Sequence, residues 1–304
     1  MKLLLVGVGG VGCEFLILLE EFLNFNETSG LLNFDIEIVI VDDDIVEESN
    51  LSRQRLYTLN DIGQPKVEVA ARAINMKVTP LKVHVQQIND LEFFGQFDVF
   101  ILAVDNLETR RWMNSTLFQS SHENWFLMDL GVQGFKFSIR TVNPHHSACL
   151  ECTLPLYYLN EEIDEIPVCS VYGRPRDLKD CVYWSLTRVN DLKEIYNLSK
   201  NRAIKFSIDE TDLSFNFIKN LITRSIPAVA SVNSLLAAKG LEILFKRGEK
   251  NILNNFWMVN LENGYYEFET LIESDENCLI CKEDIKMTAT DSDIVIVAAD
   301  SDRW

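Results

Sequence analysis

A chain of 304 residues, 47% of them hydrophobic, can bury a large core and is too apolar to be disordered, so one big domain or a domain with an insertion is expected. Its net charge of -18, with no basic stripe to offset it, argues against nucleic acid and anionic membrane surfaces as partners. No apolar run approaches a membrane span, and the apolar start meets Gly7 and then Glu14 without a cleavage site, so it reads as a first strand and not a leader.

That strand, residues 2–6, breaks into GVGGVGCE at residues 7–14, followed by a helix over about residues 13–25. Gly7, Gly9 and Gly12 fit G-x-G-x-x-G, a spacing that lets backbone N–H groups at a helix N-terminus approach a phosphate. Alone, the pattern admits a dinucleotide, ATP or no ligand. A β-branched strand at residues 36–41 ends in Asp42, Asp43 and Asp44, and Asp42 stands where a nucleotide-binding βαβ unit holds the ribose hydroxyls. The gap from the glycines exceeds the usual interval of about 20 residues, and a loop at residues 26–30 is expected to account for the excess. Arg53 and Lys66 are cations in an acidic neighbourhood, and Pro65 with Lys66 opens a helix running to about residue 75. Strands follow at residues 81–85 and 97–104, the second stopping at Asp105 and Asn106 before a helix over residues 107–119. A carboxylate at that strand end suits Mg²⁺ beside phosphates and suits equally the cap of the next helix. Strands at residues 125–130 and 137–142 complete an α/β open sheet.

Seven cysteines, four of them in two C-x-x-C pairs, fit metal binding in a reducing cytosol or nucleus better than a secreted disulfide framework. The pairs are Cys149 with Cys152 and Cys278 with Cys281, four soft ligands for tetrahedral Zn²⁺ if the fold brings them together. Between them the composition changes to an acidic loop at residues 157–167 and amphipathic helices at about 180–198 and 213–222, which reads as an inserted subdomain. Cys169 stands near Arg174 and Arg176, whose charge favours a thiolate; a lone cysteine is otherwise a small buried hydrophobe, the reading given to Cys13 and Cys181. The four histidines form no triad or metal spacing. A small-residue helix reaching about residue 245 and strands at 256–260 and 265–271 return to the sheet domain, and an acidic, disordered tail is expected after Cys281.

The set GVGGVGCE, VDDDIVEESNLSRQ, DIGQPKVEVAA, LAVDN, RRWMN, ACLECTL, IPVCS, SIPAVASVN and ENCLIC resembles the ubiquitin-activating superfamily from Lys2 to Cys281. RRWMN and ACLECTL are closer to the catalytic subunits of its neddylation branch than to the ubiquitin or SUMO branches. The resemblance implies a Rossmann-like open-sheet adenylation domain in two parts, residues 1–155 and 225–284, a mainly helical catalytic-cysteine insertion at 156–224, and a tail at 285–304. It implies that Gly7, Gly9 and Gly10 bed ATP, that Asp42 holds the ribose, and that Asp44, Asn50, Arg53, Gln54 and Lys66 surround the adenylate and phosphates. Asp105 with Asn106 would hold Mg²⁺, Cys149, Cys152, Cys278 and Cys281 a structural Zn²⁺, and Cys169 would be the thioester nucleophile. Arg140 falls where the branch carries a residue selecting against ubiquitin's tail. The implied activity is adenylation of a ubiquitin-like modifier's C-terminus, capture on Cys169 and transfer to a conjugating enzyme, in a heterodimer with a related regulatory subunit in cytoplasm or nucleus.

Some positions depart from the pattern. Ser170 replaces a threonine, Asp180 stands where relatives often have histidine, and the short stretch after Cys281 predicts no C-terminal ubiquitin-like domain. The immediate start on a strand predicts that a partner supplies an arginine to ATP. Competing readings are activation of SUMO or ubiquitin, an NAD-dependent oxidoreductase on the same glycine turn, and a non-catalytic scaffold subunit.

Overall fold

The computed structural model describes residues 1–30, 35–120, 124–144, 147–154, 156, 174–186, 188–189, 191–223, 229–247 and 254–281. An eight-stranded sheet runs through it in the order β3-β2-β1-β4-β5-β6-β7-β8. These strands are β1 (Lys2–Val6), β2 (Glu37–Val41), β3 (Val78–Leu81), β4 (Val99–Leu102), β5 (Phe126–Gln133), β6 (Lys136–Val142), β7 (Phe256–Asn260) and β8 (Tyr266–Thr270). β1 through β5 pair in parallel, and β5 through β8 continue antiparallel, so two hairpins extend a Rossmann-like half-sheet.

Alternation along the strands feeds two cores, one on each face of the sheet. Leu3, Leu5, Ile38, Ile40, Val99 and Ile101 face α1 (Gly10–Ser29) and the late helix α8 (Ala230–Lys246). Leu4, Val6, Phe100 and Leu102 face the other way, onto Met113 and Leu117 of α4 (Leu107–Gln119) and the Cys149 and Cys278 knuckles. The remaining helices of the sheet domain are α2 (Lys66–Ala73) and the one-turn α3 (Leu91–Phe94). Leu178, Cys181, Val182, Ile195, Ala203, Leu213 and Ile218 form a third, smaller core shared by α5 (Leu178–Leu186), α6 (Leu192–Lys205) and α7 (Phe215–Thr223).

The structure revises four expected boundaries. The stretch at residues 26–29 is helix and not loop: Asn26 and Thr28 donate back to the carbonyls of Phe22 and Asn24, and α1 stops only at Gly30, a left-handed cap with φ of 64°. The third strand lies earlier than residues 81–85 because β3 is the outer edge of the sheet, where Pro80 can sit opposite Ile40 without a missing ladder donor mattering. The single helix expected at residues 180–198 is two, since the Asp191 carboxylate caps a new helix by accepting the N–H groups of Lys193 and Glu194. The strand expected at residues 97–104 is the shorter β4.

Candidate nucleotide and metal sites

The glycine turn sits at the carboxyl end of β1, where the strand order reverses between β1 and β4, the position at which open α/β sheets bind ligands. Two glycines are required by geometry. Gly7 has a φ of +93°, and a Cβ there would meet the Ala103 carbonyl oxygen at 2.6 Å, while one at Gly12 would meet the Gly7 carbonyl oxygen at 2.1 Å. Gly9, in contrast, has nothing within 4 Å of where its Cβ would stand, so the open side of the turn is over Gly9. The N–H groups of the first turn of α1 lack intrahelical partners and present a partial positive charge there.

Asp42 ties the turn to the end of β2: one carboxylate oxygen accepts the Val8 N–H at 2.7 Å and the other the Asp44 N–H at 2.9 Å. Each oxygen keeps a lone pair free for a hydroxyl. Desolvation by burial raises the pKa of Asp42 against the opposing pull of Lys66 and these two backbone donors. Lys66, buried at the N-terminus of α2, pairs with the exposed Asp44 at 2.6 Å. Arg53 donates to the Ser49 carbonyl at 2.9 Å, and its own backbone oxygen lies 3.6 Å from the position of a Cβ on Gly10, which sets its loop against the turn. Asn50 shapes that loop by accepting the Glu47 N–H at 2.9 Å, and the neighbouring Gln54 is 4% exposed. Asp105 is exposed beyond β4, whereas Asn106 spends its Oδ1 on the Thr109 N–H as the cap of α4. Asp105 is thus an exposed carboxylate at the end of β4, while Asp42, Asp43 and Asp44 bring a second group of carboxylate oxygens within 4.8 Å of one another at the end of β2.

Beneath the turn lie polar residues that the motifs do not single out. Glu14, fully buried, accepts both ends of the Arg55 guanidinium at 2.6 Å and the Ser234 hydroxyl at 2.6 Å, pinning α8 to α1 and to the Arg53 loop. Burial opposes ionisation of Glu14, but these bonds outweigh it and hold the pKa below the usual carboxylate value. The Tyr57 hydroxyl donates to the Val8 carbonyl at 2.6 Å. Under α4, Arg110 pairs with Asp129 and reaches the carbonyls of Val104 and Leu130, fixing the segment that carries Asp105. A charge on an apolar helix face, such as Glu14, is the one sequence signal that could have pointed to such a lock.

The four cysteines of the C-x-x-C pairs meet although 129 residues separate Cys149 from Cys278. Their sulfurs all lie within 4.8 Å of one another, with Cys149–Cys152 at 3.8 Å, Cys149–Cys278 at 3.6 Å and Cys152–Cys281 at 3.4 Å. A tetrahedral Zn²⁺ with Zn–S bonds of about 2.3 Å has edges of about 3.8 Å, so the donor set fits that ion. The Asn114 side chain accepts the Leu150 N–H at 3.1 Å and the Asp275 N–H points at the Cys152 sulfur at 3.4 Å, orienting both knuckles. Cys13 and Cys181 are core thiols, fully buried and pushed up by desolvation to about 12 and about 11. Cys169, with Ser170 beside it, lies outside the described residues. Asp180, 2% exposed, accepts from the Arg176 backbone at 2.9 Å and side chain at 3.2 Å. Arg140, 3% exposed on β6, donates to the Thr153 hydroxyl at 2.8 Å and carbonyl at 3.1 Å. Among the described residues no helix is long and apolar enough to cross a membrane.

A glycine turn at the switch point of an open sheet, with acidic and basic side chains at the strand ends, defines a nucleotide-binding α/β protein. The ThiF family model matches residues 1–280, and the chain belongs to that family. It is 30% identical to the NEDD8-activating enzyme E1 catalytic subunit of Saccharomyces cerevisiae over 302 residues, covering 92% of this chain and 97% of that protein. The protein of the same name from Dictyostelium discoideum is 30% identical over 317 residues, covering 92% of this chain and 68% of that one. In fold the chain is similar to Escherichia coli MccB solved with ATP, at a TM-score of 0.55 and 18% identity, covering 92% of this chain and 65% of that one.

Proposed function

We propose that the chain is the catalytic subunit of a heterodimer that uses ATP to activate a ubiquitin-like modifier of the NEDD8 type. The observation that carries this reading is similarity along nearly the whole of the S. cerevisiae relative, 97% of its length, in a chain whose glycine turn, Asp42, Arg53 and Lys66 converge at one sheet end. The modifier's C-terminal carboxylate attacks the α-phosphorus of ATP, the bond to pyrophosphate breaks, and an acyl-adenylate forms. Gly7, Gly9 and Gly10 give the phosphates their bed, Asp42 the ribose its acceptors, and Asn50 and Gln54 shape the pocket. Arg53 and Lys66 offset charge that moves toward the leaving group, with Lys66 exchanging Asp44 for a phosphate oxygen. Asp105, with Asn106 adjoining, would hold Mg²⁺, which when bound would supply further neutralisation of the phosphates.

The Cys169 thiolate then attacks the acyl carbon, AMP leaves, and the thioester passes to a conjugating enzyme's cysteine. Asp180, engaged with Arg176, is placed to hold a loop and not to move a proton. Arg140 acts on modifier choice through the Cys149–Thr153 segment that it holds. A thiol-rich chain of this kind works in the reducing cytoplasm or nucleus.

With its partner subunit, ATP and Mg²⁺, the chain is expected to form a reductant-sensitive conjugate with a NEDD8-type modifier far faster than with ubiquitin, and Arg140→Gln is expected to narrow that ratio. Equal rates for both modifiers with the unmodified chain would overturn the assigned modifier class. Zinc is expected at one equivalent per chain, and its release by a thiol-modifying mercurial should lower Tm by on the order of 10 °C. Metal analysis that finds a folded, zinc-free chain would contradict the assignment of the four cysteines.

A further inference from the structure

Asn233 lies in the first turn of α8, fully buried, and neither its Nδ2 nor its Oδ1 has a hydrogen-bond partner among the described residues. Buried carboxamides in native proteins are seldom left so, because each lost bond carries the desolvation penalty of the group. The side chain is aimed at the nucleotide turn. A Cβ on Gly10 would come within 2.3 Å of Asn233 Nδ2, and the Arg53 carbonyl borders the same spot at 3.6 Å. The next residue, Ser234, is bonded to Glu14, so the helix that presents Asn233 cannot drift from the turn. Gln54, next in sequence to Arg53, likewise has a buried carboxamide oxygen with no hydrogen-bond partner among the described residues. The orphaned amide of Asn233 therefore lies against the junction of the glycine turn and the Arg53 loop.

We propose that Asn233 is a positioning residue of the nucleotide site, whose carboxamide is paired only when phosphate oxygens over Gly9 and Gly10 draw the turn and the Arg53 loop onto it. The donor then faces the Arg53 carbonyl oxygen that borders the same spot, and the acceptor faces an N–H of the glycine turn. This inference rests on the adenylation reading and adds to it a residue that acts through Gly10 and Arg53. It explains why a buried amide, and not an apolar group of the same shape, occupies the position: the cost lies in the nucleotide-free protein and the gain in the complex.

Asn233→Leu separates that role from a structural one. In the heterodimer without nucleotide, the variant's Tm is expected to equal or exceed that of the unmodified chain, since an apolar isostere relieves the unpaired groups. The Tm rise on adding ATP with Mg²⁺ is expected to shrink, and ATP affinity, read by calorimetry, to fall about tenfold, the scale of one hydrogen bond. Asn233→Gln, which keeps the amide, should recover part of it. A loss of Tm that is the same with and without ATP would assign Asn233 to the core and overturn the proposal. Unchanged ATP affinity in the leucine variant would overturn it too, leaving the adenylation reading intact. No response to ATP by the unmodified heterodimer would sink both.

Discussion

Replacing Cys169 with alanine is expected to abolish the reductant-sensitive conjugate with the modifier while leaving modifier-dependent ATP–pyrophosphate exchange within about twofold of normal. The two steps use different atoms: exchange needs only the phosphate bed and the incoming carboxylate, whereas the thioester needs a sulfur. Of the seven cysteines, four meet in one cluster and two are core thiols that desolvation holds protonated at neutral pH, which supports the proposal that Cys169 is the nucleophile. A conjugate of undiminished yield in the alanine variant, seen on a non-reducing gel, would remove Cys169 from the mechanism.

The second large effect separates two glycines of the same turn. Gly12→Ala places a methyl 2.1 Å from the Gly7 carbonyl oxygen, a clash with backbone that no rotamer relieves, and is expected to destabilise the chain by about 3 kcal/mol or more. Gly9→Ala meets nothing within 4 Å, and Gly9 has an ordinary φ of -80°, so Tm should change by less than a couple of degrees. Its methyl projects into the open side of the turn, where phosphate is to lie, and ATP affinity should fall at least about tenfold. Thermal melts and ATP titrations of the pair check this together. A Gly9→Ala chain that binds ATP normally would move the phosphates away from the turn.

Much of this was legible in the chain because the information is local. Residues 2–6 are buried on both faces and residues 38–41 nearly so, and continuous β-branched or leucine stretches allow little else. The glycine spacing, the strand-end carboxylates and the cysteine pairs are likewise short patterns whose geometry the sheet then imposes. What could not be read depends on contacts between distant segments. Glu14 and Ser234 lie 220 residues apart, so nothing near either announces their bond, and the orphaned amide of Asn233 has meaning only against Gly10. Residues 26–29 look like a loop by composition, yet the helix runs on through them to its left-handed cap at Gly30, with the Asn26 and Thr28 side chains folded back onto carbonyls of the preceding turn. Arg140 has the charge of a surface residue, and only the β5–β6–β7 pairing reveals that it is enclosed.

The turn between β1 and α1 is proposed as the bed for adenylating a protein's carboxyl terminus. Its most direct test is ATP–pyrophosphate exchange by the heterodimer, run with a full-length NEDD8-type modifier and with the same modifier shortened by its last two residues. Exchange is expected to require the intact C-terminus and to be lost when Lys66 is replaced by alanine. Exchange that proceeds equally without modifier, or no exchange with the intact one, would contradict it.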